Sequence, residues 1–216
     1  MTALVRYHSG LLLRSQRWLA PFLAYAALLG VGITLGEPVL GALGFAAAVL
    51  LPVTAWSVRI CLSQEPPAAR SVVVAAVGRG RAHLAALLTG ALWPLLVGVC
   101  AVLLVTVTGD RRGVGAAAAT VAGLLAVLAC AATGAAVGAL ASRPFLSAPG
   151  WSAVALVFGS LLALVTTGSP AKHAVAALVT GARTATADPP WLAGGGALLL
   201  AAGAALLARA ATARLE

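Results

Sequence analysis

Six stretches of close to twenty residues run through this chain with hardly a charge in them, and that feature leaves few folds open. They cover 18–35 (WLAPFLAYAALLGVGITL), 39–58, 84–107, 114–141, 151–167 and 191–208. A helix rising about 1.5 Å per residue needs about 20 apolar residues to cross the hydrocarbon core of a bilayer. The rest of the composition agrees. Of the 216 residues, 62% are hydrophobic and 9% are charged, whereas soluble domains carry about 25% charged residues. So little polar surface cannot cover a core in water. The expected fold is all-α: a polytopic membrane protein with six transmembrane helices, built as a single transmembrane domain over 1–216.

Arginine sets the expected orientation. With the N-terminus inside, the inner segments carry Arg6, Arg14, Arg17, Arg59, Arg70, Arg79, Arg81, Arg143, Arg209 and Arg214. The outer segments carry only Arg111, Arg112, Lys172 and Arg183. This is the positive-inside bias, and six spans put both termini in the cytoplasm. Trp18, Trp151 and Trp191 each open a run, where an amphipathic ring suits the interface. The net charge of +9 therefore records topology. No dense basic block or basic–aromatic interleaving points to nucleic acid.

Between the second and third runs lies SQEPPAARSVVVAAVGRGRAH, residues 63–83. Pro66 and Pro67 suit the first turn of a helix, where no donor is needed. Ser63 or Glu65 is placed to cap it, and Gly78 is a natural stop. The run from Pro67 to Val77 is too short to span, and Val and Ala dominate its surface. It is expected as a short helix on the cytoplasmic face, seated on the membrane interface or in a groove of another protein, with the groove favoured because a surface helix carries more basic residues. Gly78-Arg79-Gly80-Arg81 reads as a flexible, basic re-entry to the third span. At the N-terminus, ALVRYHSGLLLRSQ (3–16) places Leu4, Val5, His8, Leu11 and Leu12 on one helix face, with Arg6, Ser9 and Arg14 away from it. This pattern fits an amphipathic helix along the inner interface. In the segment 168–190, PAKHAVAALVTGA fits equally a short interfacial or re-entrant helix and a covered loop.

The spans hold essentially no ionisable side chain. Glu37, Asp110 and Asp188 fall in outer loops, Glu65 in the inner loop, and Glu216 is last. Carriers coupled to protons keep such a group at membrane depth. Nucleophile elbows, HExxH, paired aspartates and a Walker lysine motif are all missing. Cys61, Cys100 and Cys130 are far apart, and His8, His83 and His173 have no ligand spacing. No catalytic, cofactor or metal site is expected in the chain. Cys130, Gly134, Gly138 and Ser142 form a small-residue stripe at spacing four, as do Ala193, Ala197, Ala201 and Ala205. Such stripes let helices approach closely, here most simply within the chain. Pro52 and Pro94 are candidate kinks.

This layout resembles the membrane subunits of type-2 ABC exporters, the ABC-2 permease group. The resemblance rests on the peripheral N-terminal helix, the six spans, the short helix between spans two and three, and the longer outer segment before span six. The phrasing RICLSQEPPAARSVVVAAVGRGRAHLAALL is similar to small permeases of actinobacterial exporter operons. The resemblance implies that 1–16 is an elbow helix and that 66–77, within a loop over 63–82, is a coupling helix docking into a separate cytoplasmic ABC ATPase. Pro67, Arg70, Ser71 and Val74 would make the contact, with Arg79 and Arg81 at its rim. Arg143, Pro144 and Phe145 would make a second, smaller contact. ATP and magnesium would sit on the ATPase, and a second permease copy, identical or different, would complete the transporter, with helices one and five at the seam. The chain departs from larger members in lacking a big outer domain. Its apolar spans favour a hydrophobic or amphipathic substrate, and its Arg and Ala bias a bacterial inner membrane. The alternative is a non-transporting membrane scaffold that recruits a cytoplasmic partner through the same short helix.

Overall fold

The computed structural model describes residues 1–34, 36–111, 113–142 and 149–186, with the single positions 191, 195, 196, 199 and 203. Eight helices follow in chain order: α1 Thr2–Arg14, α2 Leu19–Gly32, α3 Val39–Ser63, α4 Pro67–Val77, α5 Arg79–Thr108, α6 Ala116–Leu140, α7 Pro149–Val165 and α8 Pro170–Thr184. No strand occurs among the described residues. Helices α3, α5 and α6 are each long and apolar enough to cross a membrane. Helices α7 and α8, bent by 52° across a short break, make a fourth crossing if taken as one span. The protein is a helical membrane protein.

Helix α3 is the axis, with α2, α5, α6, α7 and α8 packed around it. Leu43, Ala46, Ala47, Leu50, Leu51 and Ala55 are wholly enclosed there. The stripe on α6 is what brings α6 so close. Gly134 lies against Leu51 and Thr54, and Gly138 against Ala55 and Val58. A Cβ at either position would collide with a carbonyl oxygen of α3. With no hydrophobic drive between helices in lipid, such backbone-level contact supplies the attraction. Gly90 of α5 meets Val58 in the same way. The buried threonines Thr54, Thr89, Thr106 and Thr133 each donate a hydroxyl to the carbonyl four residues back. An apolar interior can then hold them without an orphaned donor.

Several expectations are revised. The run 18–35 is helical only over 14 residues, about 21 Å, which is short of the roughly 30 Å hydrocarbon thickness. Gly30, Val31 and Gly32 are poor helix formers, and Ile33 leaves the helix in extended conformation. Pro52 and Pro94, the candidate kinks, lie inside the continuous helices α3 and α5, positions a kink can occupy without ending either helix. Arg79, Gly80 and Arg81 are not a flexible re-entry. They form the first turn of α5, because Ala82, His83, Ala85 and Ala86 bury themselves immediately afterwards and packing outweighs the roughly 1 kcal/mol cost of a helical glycine. Of the two readings of 168–190, a helix is present: α8 buries Pro170, Ala171, Ala174, Leu178 and Gly181. The run 191–208, with its alanine stripe, lies outside the described residues except at the single positions above.

The bundle has two distinguishable ends. At one, the Val39 amide donates to the Asp110 carbonyl at 2.9 Å, and Gly181 of α8 approaches Leu40. We call this the hairpin end. At the other lie α1, α4 and the start of α5.

Candidate functional site

The α4 end gathers the features that the sequence marks out. Gln64 closes α3, and Pro66, at φ −59° and ψ 146°, turns the chain into α4 with Pro67 in its first turn. Neither Ser63 nor Glu65 caps the helix. The Ser63 hydroxyl returns to the Arg59 carbonyl at 2.8 Å instead. Gly78 stops α4 at φ 84°, a left-handed conformation that favours glycine. Space is not the reason, since a Cβ there would touch nothing.

The helix has an inner and an outer side. Ala69, Arg70, Val73, Val74 and Val77 are half-buried toward the chain. Arg70 and Val74 line a cavity of about 20 Å³ with Cys61, Glu65, Arg79 and His83, room for about one water. Pro67, Ala68, Ser71, Val72, Ala75 and Ala76 are exposed, with Val72 at 69% of its full accessibility. The Ser71 hydroxyl turns back to the Ala68 carbonyl at 2.8 Å, so the outward face is smooth and mostly apolar. Of the expected contact residues, Pro67 and Ser71 face out, and Arg79 and Arg81 are exposed just beyond. Arg70 and Val74 face in. Val72, not singled out from the sequence, is the largest apolar side chain exposed on α4. Nothing in the run VVV distinguishes its members until α5 takes one side. Arg143, Pro144 and Phe145 lie outside the described residues. Among the described residues, Arg59 Nε donates to Ser152 Oγ at 2.7 Å and Ser152 Oγ donates to the Ala141 carbonyl. That chain ties α3 to the end of α6 and the start of α7.

Helix α1 braces the root of α4. Leu4, Val5, His8, Leu11 and Leu12 are half-buried or buried, and Leu12 packs with Ile60, Cys61, Trp18 and Trp93. Ser9 is not turned away as expected, because its hydroxyl accepts from Trp93 Nε1 at 3.3 Å. The Gln64 side-chain amide donates to the His8 carbonyl at 3.4 Å, and the negative charge of Glu65 is felt at both Tyr7 and His8. His8 is 1% exposed, its ring meets Tyr7 edge-on, and neither ring nitrogen has a hydrogen-bond partner. Burial lowers its affinity for a proton, and the Glu65 charge opposes this in part. Tyr7 is shifted up by burial and then by Glu65.

The electrostatics of this end are one-sided. Glu65 is its single acid among the described residues, against Arg6, Arg14, Arg17, Arg59, Arg70, Arg79 and Arg81. Among the described residues no three His, Cys, Asp or Glu side chains gather in a way that would hold a metal. The arrangement offers a binding face. No known family, curated protein or solved structure matches this chain.

Proposed function

We propose that this chain is the permease subunit of an ATP-driven transporter of the ABC-2 type, with α4 as the helix that docks into a separate cytoplasmic ATPase. The observation that carries this reading is the outward face of α4. It is a short, sharply bounded helix between two long apolar helices, with Pro67, Ala68, Ser71, Val72, Ala75 and Ala76 left uncovered. Leaving such a face bare is costly unless a partner covers it. Arg79 and Arg81 beside it suit an acidic rim around an apolar cleft. The tie from α1 and α3 into the root of α4 supplies a path by which a push on α4 reaches the spans.

On this reading the apolar run 18–35, of which α2 is the helical part, is the first crossing, α7 the fifth and 191–208 the sixth. Both termini are cytoplasmic in a bacterial inner membrane. A second permease chain, identical or related, seats against α7, whose Trp151, Phe158, Leu161, Leu162 and Val165 are exposed. The cargo is hydrophobic or amphipathic and is exported.

The test is co-purification from the native host in mild detergent. An ATPase is expected at one-to-one stoichiometry, lost in Val72→Asp while the membrane protein keeps its thermal stability. An ATPase that stays bound to Val72→Asp overturns the docking face. If no ATPase appears with the intact protein, the scaffold reading takes its place.

A further inference from the structure

An amphipathic helix at a membrane surface ordinarily buries its apolar face in lipid. Helix α1 does not have that face to give. Leu4, Val5, His8, Leu11 and Leu12 are turned against α3 and α5. What α1 turns outward is the opposite arc, and it is basic. Arg6 and Arg14 are exposed, with Arg17 exposed just beyond the helix, and Tyr7 and Leu13 lie among them. No acid occurs before Glu37 in the sequence, and Glu65, the single acid at this end among the described residues, is half-buried. The level of the helix in the membrane is marked by its neighbours. Trp18, which opens the run 18–35, packs against the Leu12 cluster and donates its indole N–H to the Leu13 carbonyl. Tryptophan at the end of an apolar run prefers the headgroup level, which sets the C-terminal end of α1, with Arg14 and Arg17, near that level.

We infer that the outward face of α1 binds the headgroups of anionic phospholipids in the leaflet at the α4 end, holding them by charge and not by insertion of the helix. The ligand is a glycerophospholipid with a net negative headgroup. Zwitterionic lipids offer the same acyl chains without the net charge and are not selected. The inference does not depend on what α4 docks. It extends to α4 in one respect: the Gln64 side-chain amide, at the root of α4, donates to the His8 carbonyl of the lipid-facing helix.

The experiment uses the full chain in nanodiscs of phosphatidylcholine, with and without a minor fraction of phosphatidylglycerol. Lipid retained after mild detergent extraction is read by native mass spectrometry. Phosphatidylglycerol is expected to be enriched, and the enrichment to collapse as salt rises, because exposed charges are screened over about 10 Å at 0.1 M salt. Each of Arg6→Gln, Arg14→Gln and Arg17→Gln is expected to weaken retention roughly five-fold. The triple variant should lose the preference while melting normally in pure phosphatidylcholine. Arg79→Gln with Arg81→Gln is the control and should keep it. Equal retention of the two lipids, enrichment that ignores salt, or loss of preference in the α5 pair in place of the α1 triple would each overturn the inference.

Discussion

His8 is an unusual residue to enclose. A neutral imidazole carries one donor and one acceptor, and neither finds a partner where the ring is buried. Its proton affinity is lowered by burial, so near neutral pH it stays uncharged in the folded protein. The unfolded chain binds the proton more readily, with a value of about 6.5. Stability is therefore fully present above that value and falls as the pH drops below it, levelling off only below the folded value. Thermal melts of the detergent-solubilised protein should show this decline, and His8→Leu should reduce it without lowering stability at pH 8. Gly78 makes a second residue-scale case. Its φ of 84° penalises any side chain, so Gly78→Val should cost about 1–2 kcal/mol, measured as a lower melting temperature. Both residues differ in how legible they are. Gly78 is readable from its place after an apolar run, since the conformational demand is local. The isolation of His8 is not, since it depends on what α3 and α5 bring against it.

At the scale of the element, α4 and α6 show two uses of small and β-branched residues. In α6 the stripe Gly134–Gly138 meets α3 backbone to backbone. Gly138→Leu should force the helices apart and cost about 1–3 kcal/mol, with no rotamer that avoids the Ala55 carbonyl. In α4 the same kind of residue is left on the surface. Val72→Asp adds a charge to an exposed position and should change stability by no more than about 0.5 kcal/mol. Val74→Asp places a carboxylate beside Arg70 in a half-buried cavity and should alter both stability and docking. Comparing the two variants by melting temperature separates a docking face from a folding face. The bounds of α4 follow from Pro66, Pro67 and Gly78 alone. Which valine points outward does not, because three consecutive valines and four alanines offer no polarity contrast around the helix.

The whole molecule has one strongly basic end and one mixed end. If the arginine excess faces the cytoplasm, a cysteine placed at Ser71 in a variant lacking Cys61, Cys100 and Cys130 should label only from the cytoplasmic side. A cysteine at Arg183, at the exposed end of α8, should label only from the other side. Labelling of both from one side would overturn the orientation. The break between α7 and α8 belongs to this scale as well. Lys172 Nζ donates to the carbonyl of Val165 at 2.6 Å, which places a cation on the last carbonyl of α7 where the chain turns by 52°.

What the sequence alone determined is the membrane class, the helical content, the bounds of α4 and most of the buried face of α1. Each follows from a property carried by a few adjacent residues: apolar run length, proline and glycine backbone limits, or a polar–apolar contrast at helical spacing. Only the tertiary structure decided that α2 is a short helix, that the Gly-Arg-Gly-Arg segment starts α5, that Ser9 turns inward to Trp93, and that Val72 and not Val74 faces out. In a chain so rich in alanine, valine and glycine, one side of a helix looks much like another in lipid. The choice between sides is made by which neighbour approaches closely enough to cover it, and that neighbour comes from a distant part of the chain.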